Sequence, residues 1–367
     1  MIRLLLFTVY LLISFNLSAT LYSEEEINTT INKDSVIQSS KEFVRGFFTA
    51  QKPMDYVENY TSSRLSGKEL LILEHQLYNL LNQVAQQPKQ QYLQDFVNQM
   101  KTYQIQTYKI DEEGRMQRPV YSIHSRAKGI ENIWQAAESV NHYSAVFKQN
   151  PISAINALKN KVDTLSPPRW LGLKNSIKNL SVENKHKLAT YFLSDINNIQ
   201  GLDKYVSHFT LLTTNKELLA KSLLGVDKTN GEYVLRSMAQ YFSADFVAKM
   251  LVTTVENKKN QAFALSLMNT YVDTHSEIKQ LLFDYLKHIK FSSNAAFALS
   301  YTKNSETLKQ LEDRYINSES SREKKHIIFC LQMNKSKPSK TILKQLLAYD
   351  NDPTTKAWIN QFNRESK

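Results

Sequence analysis

A single cysteine, Cys330, stands in the 367 residues, so this chain can form no internal disulfide. Glycine and proline are scarce, at eight each. Sheet-rich folds draw their tight turns from these two residues, so the shortage argues for helices joined by short connections. Missing as well are a zinc-protease helix pair, a P-loop, a dinucleotide fingerprint, a calcium loop and a nucleophile elbow. The eight histidines are scattered, and none pairs with a second metal-ligand type in a cluster. No catalytic residue, metal or cofactor is therefore expected.

Acidic residues are in deficit. Lys and Arg number 46 against 35 Asp and Glu, a formal net charge of +11. Such a surface can meet nucleic acid, anionic lipid or another polyanion. The N-terminus, "MIRLLLFTVYLLISFNLSA", reorders that choice. Arg3 precedes an apolar run over Leu4–Phe15, with small residues at Ser18 and Ala19. This is the pattern of a secretory signal peptide over residues 1–19, cleaved after Ala19. The run is too short to span a bilayer as a helix. An uncleaved anchor is the other reading. Export makes nucleic acid an unfavoured partner. A large exported chain with one thiol fits a bacterial periplasm better than a eukaryotic exterior.

Residues 20–35 are polar and read as a flexible leader, followed by a helical region over 36–200. Val36, Phe43, Val44, Phe47 and Phe48 share one helical face. The stretch 66–87 carries Leu70, Leu73, Leu77, Leu80, Leu81 and Val84 at helical spacing, with Ser66 and Glu69 placed as a capping box. His75, beside Glu74 on this helix, is expected at a solvated edge. Residues 103–126 alternate in polarity around Asp111–Gly114, which predicts a β-hairpin or an extended loop.

From residue 201 to 367 a rhythm appears. Helix pairs start near Asn215, Ser243, Thr274, Asn304 and Pro338, about thirty residues apart. Ile278, Leu281, Leu282, Tyr285, Leu286 and Ile289 form one apolar stripe; Phe246, Val247, Met250, Leu251 and Val255 form another; Ile342, Leu343, Leu346 and Leu347 form a third. Each is too small to make a core alone, and stacked neighbours would bury them continuously.

Residues 321–362, "SREKKHIIFCLQMNKSKPSKTILKQLLAYDNDPTTKAWINQF", resemble a HEAT-like repeat. The features are a helix containing "ILKQLL", a turn with Asp350, Asp352 and Pro353, and a second helix opening at Lys356. The resemblance implies that Asp352 caps the second helix and that Lys356, where Arg is commoner in the family, packs back on the turn. It implies an all-α protein ending in a HEAT-like α-solenoid, with partner binding as its work.

Positive charge is bunched. Residues 148–187 carry eight Lys and Arg against Asp163 and Glu183, and residues 319–345 carry seven against Glu319 and Glu323. Lys174, Lys178, Lys185, Lys187, Arg322, Lys324, Lys325, Lys337 and Lys340 are the candidate basic binding surface. The expected function is a non-enzymatic exported scaffold or adaptor binding a protein or an anionic envelope component. Two alternatives remain: a lipid or lipoprotein carrier with an apolar groove, and an envelope polysaccharide-acting enzyme. Cys330, inside the apolar "HIIFCLQM", is expected to be buried and inert.

Overall fold

A computed structural model describes residues 20–62, 65–110, 114, 116–349 and 356. The expected signal peptide, Asp350, Asp352, Pro353 and the carboxylates 111–113 lie outside the described residues. The chain is all-α with one small sheet: the described residues hold 19 α-helices and three short strands. None of the described helices is long and apolar enough to cross a membrane. Contacts divide the described residues into two compact units: those up to Asn141 with Ser166–Gly172, and those of His142–Leu165 with those from Leu173 onward. The sequence rhythm had suggested a division near residue 200.

In the first unit, β1 (Thr20–Tyr22) leads into α1 (Glu24–Ile31), so the stretch expected as a leader holds a strand and a helix. The cause is a complete capping box: Ser23 Oγ accepts from Glu26 N–H at 3.2 Å, and the Glu26 carboxylate accepts from Ser23 N–H at 2.8 Å. Then come α2 (Asp34–Thr49), α3 (Pro53–Thr61), α4 (Lys68–Val84) and α5 (Gln91–Met100). The capping box expected at Ser66 is not formed. Gly67 occupies the N-cap with φ +53°, and no side chain caps α4. Phe43 and Phe47 of α2 pack with Leu73, Leu77, Leu80 and Leu81 of α4 and with Phe96 of α5 as one core.

The segment 103–126 contains a hairpin. β2 (Thr107–Ile110) pairs antiparallel with β3 (Gln117–Pro119), with Tyr108 opposite Pro119. β1 adds to the other edge of β2 in parallel, Thr20 opposite Thr107. A parallel pair needs a long crossover, and α1–α5 supply it. Next is α6 (Ile123–Gln149), whose Trp134 is buried in the same core and donates from Nε1 to the Gln87 carbonyl at 3.0 Å.

The second unit holds α7 (Pro151–Leu158), the tail of α8 (Pro167–Ser176) and the described helices from α9 onward. Its helices are α9 (Val182–Ser194), α10 (Asp203–Thr213), α11 (Lys216–Gly225), α12 (Lys228–Ser237), α13 (Ala244–Glu256) and α14 (Gln261–Leu267). They continue with α15 (Ser276–Tyr285), α16 (Ser292–Leu299), α17 (Ser305–Asn317), α18 (Ser321–Met333) and α19 (Lys337–Tyr349). Caps set many of the starts: Asn215, Asp227, Asn304 and Ser320 each accept a main-chain N–H from the first turn.

Packing follows an alternating rule. α10, α12, α14, α16 and α18 each contact the next of that set, and so do α9, α11, α13 and α15, while α10–α11, α11–α12, α13–α14, α15–α16, α17–α18 and α18–α19 pair across. Leu219, Val234, Leu251, Leu265, Leu282, Leu299, Leu311 and Leu331 meet in one continuous apolar core between the two sets. Ile289, expected in the stripe of α15, lies beyond its end and is 76% exposed, because the helix stops at Tyr285.

Candidate functional site

In the second unit the helices of each set are tied by side chains that range from buried Ser292 to exposed Arg236. Between α10 and α12, His208 Nδ1 and Tyr233 Oη share a 2.8 Å hydrogen bond. Between α12 and α14, the Arg236 guanidinium lies over the Phe263 ring at 5.2 Å. Asn294 of α16 donates to Ser266 of α14 at 3.0 Å. His326 of α18 meets Ser292 and Ser293 of α16 at 3.2 and 3.1 Å. The other set is linked in the same manner: Lys221 reaches the Leu193 carbonyl, Lys216 lies over Phe246, and Arg314 covers Phe283 at 4.7 Å while reaching Glu323 at 3.4 Å.

The His326 contacts resemble a base beside a hydroxyl. Its Nδ1 donates to the Arg322 carbonyl at 2.8 Å, which leaves Nε2 as an acceptor. Both serine hydroxyls converge on that nitrogen, so the ring works as a tie between α16 and α18. Cys330, one turn on, is fully buried and its thiol is pushed up by burial, as an inert core residue should be. Tyr205 is likewise fully buried, stacked between Phe147 and Phe209 at 6.0 Å from each.

The nine basic candidates are distributed over several helices. Lys174 lies half-buried in α8, Lys178 is exposed in the short 3-10 turn after it, and Lys185 and Lys187 lie on α9. Lys187 is held by Glu183 at 2.6 Å. Arg322 and Lys324 occupy the first turn of α18 and Lys325 follows them; Lys324 lies over the Tyr315 ring at 5.3 Å. Lys337 and Lys340 are exposed in the first turn of α19, which contains no acidic residue. A helix N-terminus carries partial positive charge, so cations there add to the field instead of cancelling it. Lys356 is exposed and helical.

Sequence reasoning missed a buried polar centre in the first unit. Glu74 is completely buried, not at an edge. Its carboxylate accepts from Gln106 N–H at 2.7 Å and from the Thr107 hydroxyl, tying α4 to the start of β2. Burial raises its pKa above the usual carboxylate range, and the hydrogen bonds from Thr107 and Gln106 oppose that rise. Tyr103 and Tyr121 are pushed up mainly by burial and then by this charge, Tyr121 to about 12. Half-buried His75 bridges Tyr121 Oη and the Asn79 side chain, at 2.9 Å from each. Burial lowers its pKa, so the ring is neutral near pH 7. One signal was available: Glu74 falls on the same helical stripe as Leu70, Leu73, Leu77 and Leu81.

Among the described residues, no three His, Cys, Asp or Glu side chains are grouped to hold a metal ion. Comparison of the chain with protein families, curated proteins and solved structures gives no match.

Proposed function

We propose that this chain is an exported, non-enzymatic binding protein whose second unit acts as a HEAT-like array, presenting its surface to a protein or anionic envelope partner. The observation that carries this reading is the serial linkage of α10, α12, α14, α16 and α18 by side-chain contacts. Stacked units of this kind offer a long face from several helices, and long faces suit partners larger than a metabolite. The cations in the acid-free first turn of α19 favour an anionic partner.

The test is cosedimentation of the full chain with phosphatidylglycerol-containing vesicles at low and high salt. The expected result is binding that salt weakens, and at least roughly tenfold weaker binding for the Arg322→Glu, Lys337→Glu, Lys340→Glu variant. A variant that binds like the parent overturns the basic-surface part of the proposal. Export is checked separately by N-terminal sequencing of the cell-fractionated product; a cytosolic protein that keeps residues 1–19 would count against it.

A further inference from the structure

The first unit contains a groove of about 500 Å³ between α2 and α4. Lys41 and Arg45 of α2 line it, with Ile37 and Val44 from the same helix and His75, Asn79, Asn82 and Gln83 from α4. Ser40 of α2 also lines it. That residue is 4% exposed, and its oxygen has no hydrogen-bond partner among the described residues. A buried hydroxyl without a partner costs stability unless something supplies the missing bond.

Charge at the groove is equally unbalanced. Lys41 and Arg45 are one helical turn apart on one face, where like charges repel. Neither has an acidic partner among the described residues. The nearest carboxylate in sequence, Glu42, accepts from Gln38 at 2.9 Å. Glu74, on the facing helix, is buried and committed to Gln106 and Thr107. His75 adds no charge near pH 7, since burial holds it neutral. With Asn79 donating to Nε2, its proton lies on Nδ1 toward Tyr121. Two cations therefore line a groove whose remaining polar residues are three amides, the neutral His75 ring and Ser40.

We propose that this groove is a binding site for a small organic phosphate monoester. Such a group carries nearly two negative charges at neutral pH and three acceptor oxygens. Arg45 matches it with a planar fork of donors and Lys41 with a point charge. A rotation about its Cα–Cβ bond would turn the buried Ser40 hydroxyl toward a phosphate oxygen and give it the acceptor it lacks. A groove of about 500 Å³ is of the size that holds whole small molecules, so it has room for more than the phosphate. Ile37 and Val44 provide an apolar wall for the body of the ligand, and Asn79, Asn82 and Gln83 can bond its hydroxyls. The phosphate can belong to a free metabolite or to a lipid headgroup; the chemistry of recognition is shared.

The experiment is calorimetric titration of the full chain with glycerol 3-phosphate and with inorganic phosphate, plus cosedimentation with vesicles containing phosphatidic acid. Saturable binding of glycerol 3-phosphate in solution is expected if the source is a free ester. Binding confined to phosphatidic acid vesicles identifies a headgroup. In either case Lys41→Ala/Arg45→Ala is expected to weaken binding at least tenfold, and Ser40→Ala several-fold. Lys128→Ala, an exposed cation on α6, is expected to change nothing. Circular dichroism confirms that each variant is folded. Because Ser40 is buried, the exposed pair Lys41 and Arg45 carries the decision if Ser40→Ala unfolds. No saturable binding of any phosphate probe overturns the proposal. Binding that survives loss of both cations, or that occurs for inorganic phosphate alone, also overturns it.

Discussion

At the scale of single residues, Glu74 carries the largest stake. A carboxylate in an apolar stripe is tolerated because Gln106, just before β2, and Thr107, its first residue, deliver a main-chain N–H and a hydroxyl to it. Removing the side chain strands both donors in the interior. Glu74→Ala is therefore expected to cost about 3 kcal/mol in urea unfolding, and Glu74→Gln, which keeps one acceptor, about 1 kcal/mol. The sign with pH follows from the raised pKa. The folded carboxyl holds its proton to higher pH than the unfolded one, so its penalty grows as pH rises from the unfolded value through the folded one. Glu74→Gln should flatten that part of the profile. Equal losses for Ala and Gln, with unchanged pH dependence, would show that the hydrogen bonds matter little. The sequence made this residue look like half of a solvated pair. Its position on the Leu70–Leu81 stripe said otherwise, and only the partners at the start of β2 explain why burial is affordable.

Between elements, close approach is decided by glycine. A Cβ added at Gly172 of α8 would stand 2.3 Å from Ser139 Cβ and 2.8 Å from the Ala136 carbonyl oxygen of α6. Main chain cannot give way cheaply, so Gly172→Ala should lose about 2 kcal/mol. Gly129, inside α6, has nothing within 4 Å of the same added atom. Gly129→Ala should gain about 0.5–1 kcal/mol by helix propensity alone. Opposite shifts in urea midpoint are the expected readout, and two shifts of the same sign would refute the packing argument. Helix starts were the legible part of this scale. Asn215, Ser243 and Asn304 are N-caps at the positions the sequence rhythm marked, because capping residues and apolar stripes are local signals. The parallel β1–β2 pairing was not legible. Three residues, Thr20–Tyr22, carry too short a pattern to reveal a partner more than eighty positions away. The groove between α2 and α4 was hidden for a related reason: Lys41 and Arg45 look like any solvated turn until α4 is laid opposite them.

For the whole molecule, the excess of positive charge makes acid the natural direction of failure. Each histidine that protonates adds to a formal charge already at +11. Two histidines resist doing so in the folded chain. His208 is lowered to about 4, first by burial and then by the Lys174 and Lys204 charges, and His75 is lowered by burial. In the unfolded chain both titrate near the ordinary value of about 6.5. Their contribution is therefore complete above that pH and is lost as pH falls, because only the unfolded state takes up the protons. Glu74 opposes this trend, since its raised folded pKa favours the folded state toward acid, but it is one group against two. After allowance for partial solvent screening, His208 should account for about 1 kcal/mol of lost stability near pH 5.5. Urea unfolding of the parent and of His75→Gln/His208→Gln between about pH 7.5 and 5 separates the terms. The parent should lose stability steadily below about pH 6.5, while the double variant, though weaker at pH 7.5, should show a shallower slope. Parallel slopes for the two proteins would mean that neither imidazole is held neutral, and that general charge repulsion alone drives the acid loss.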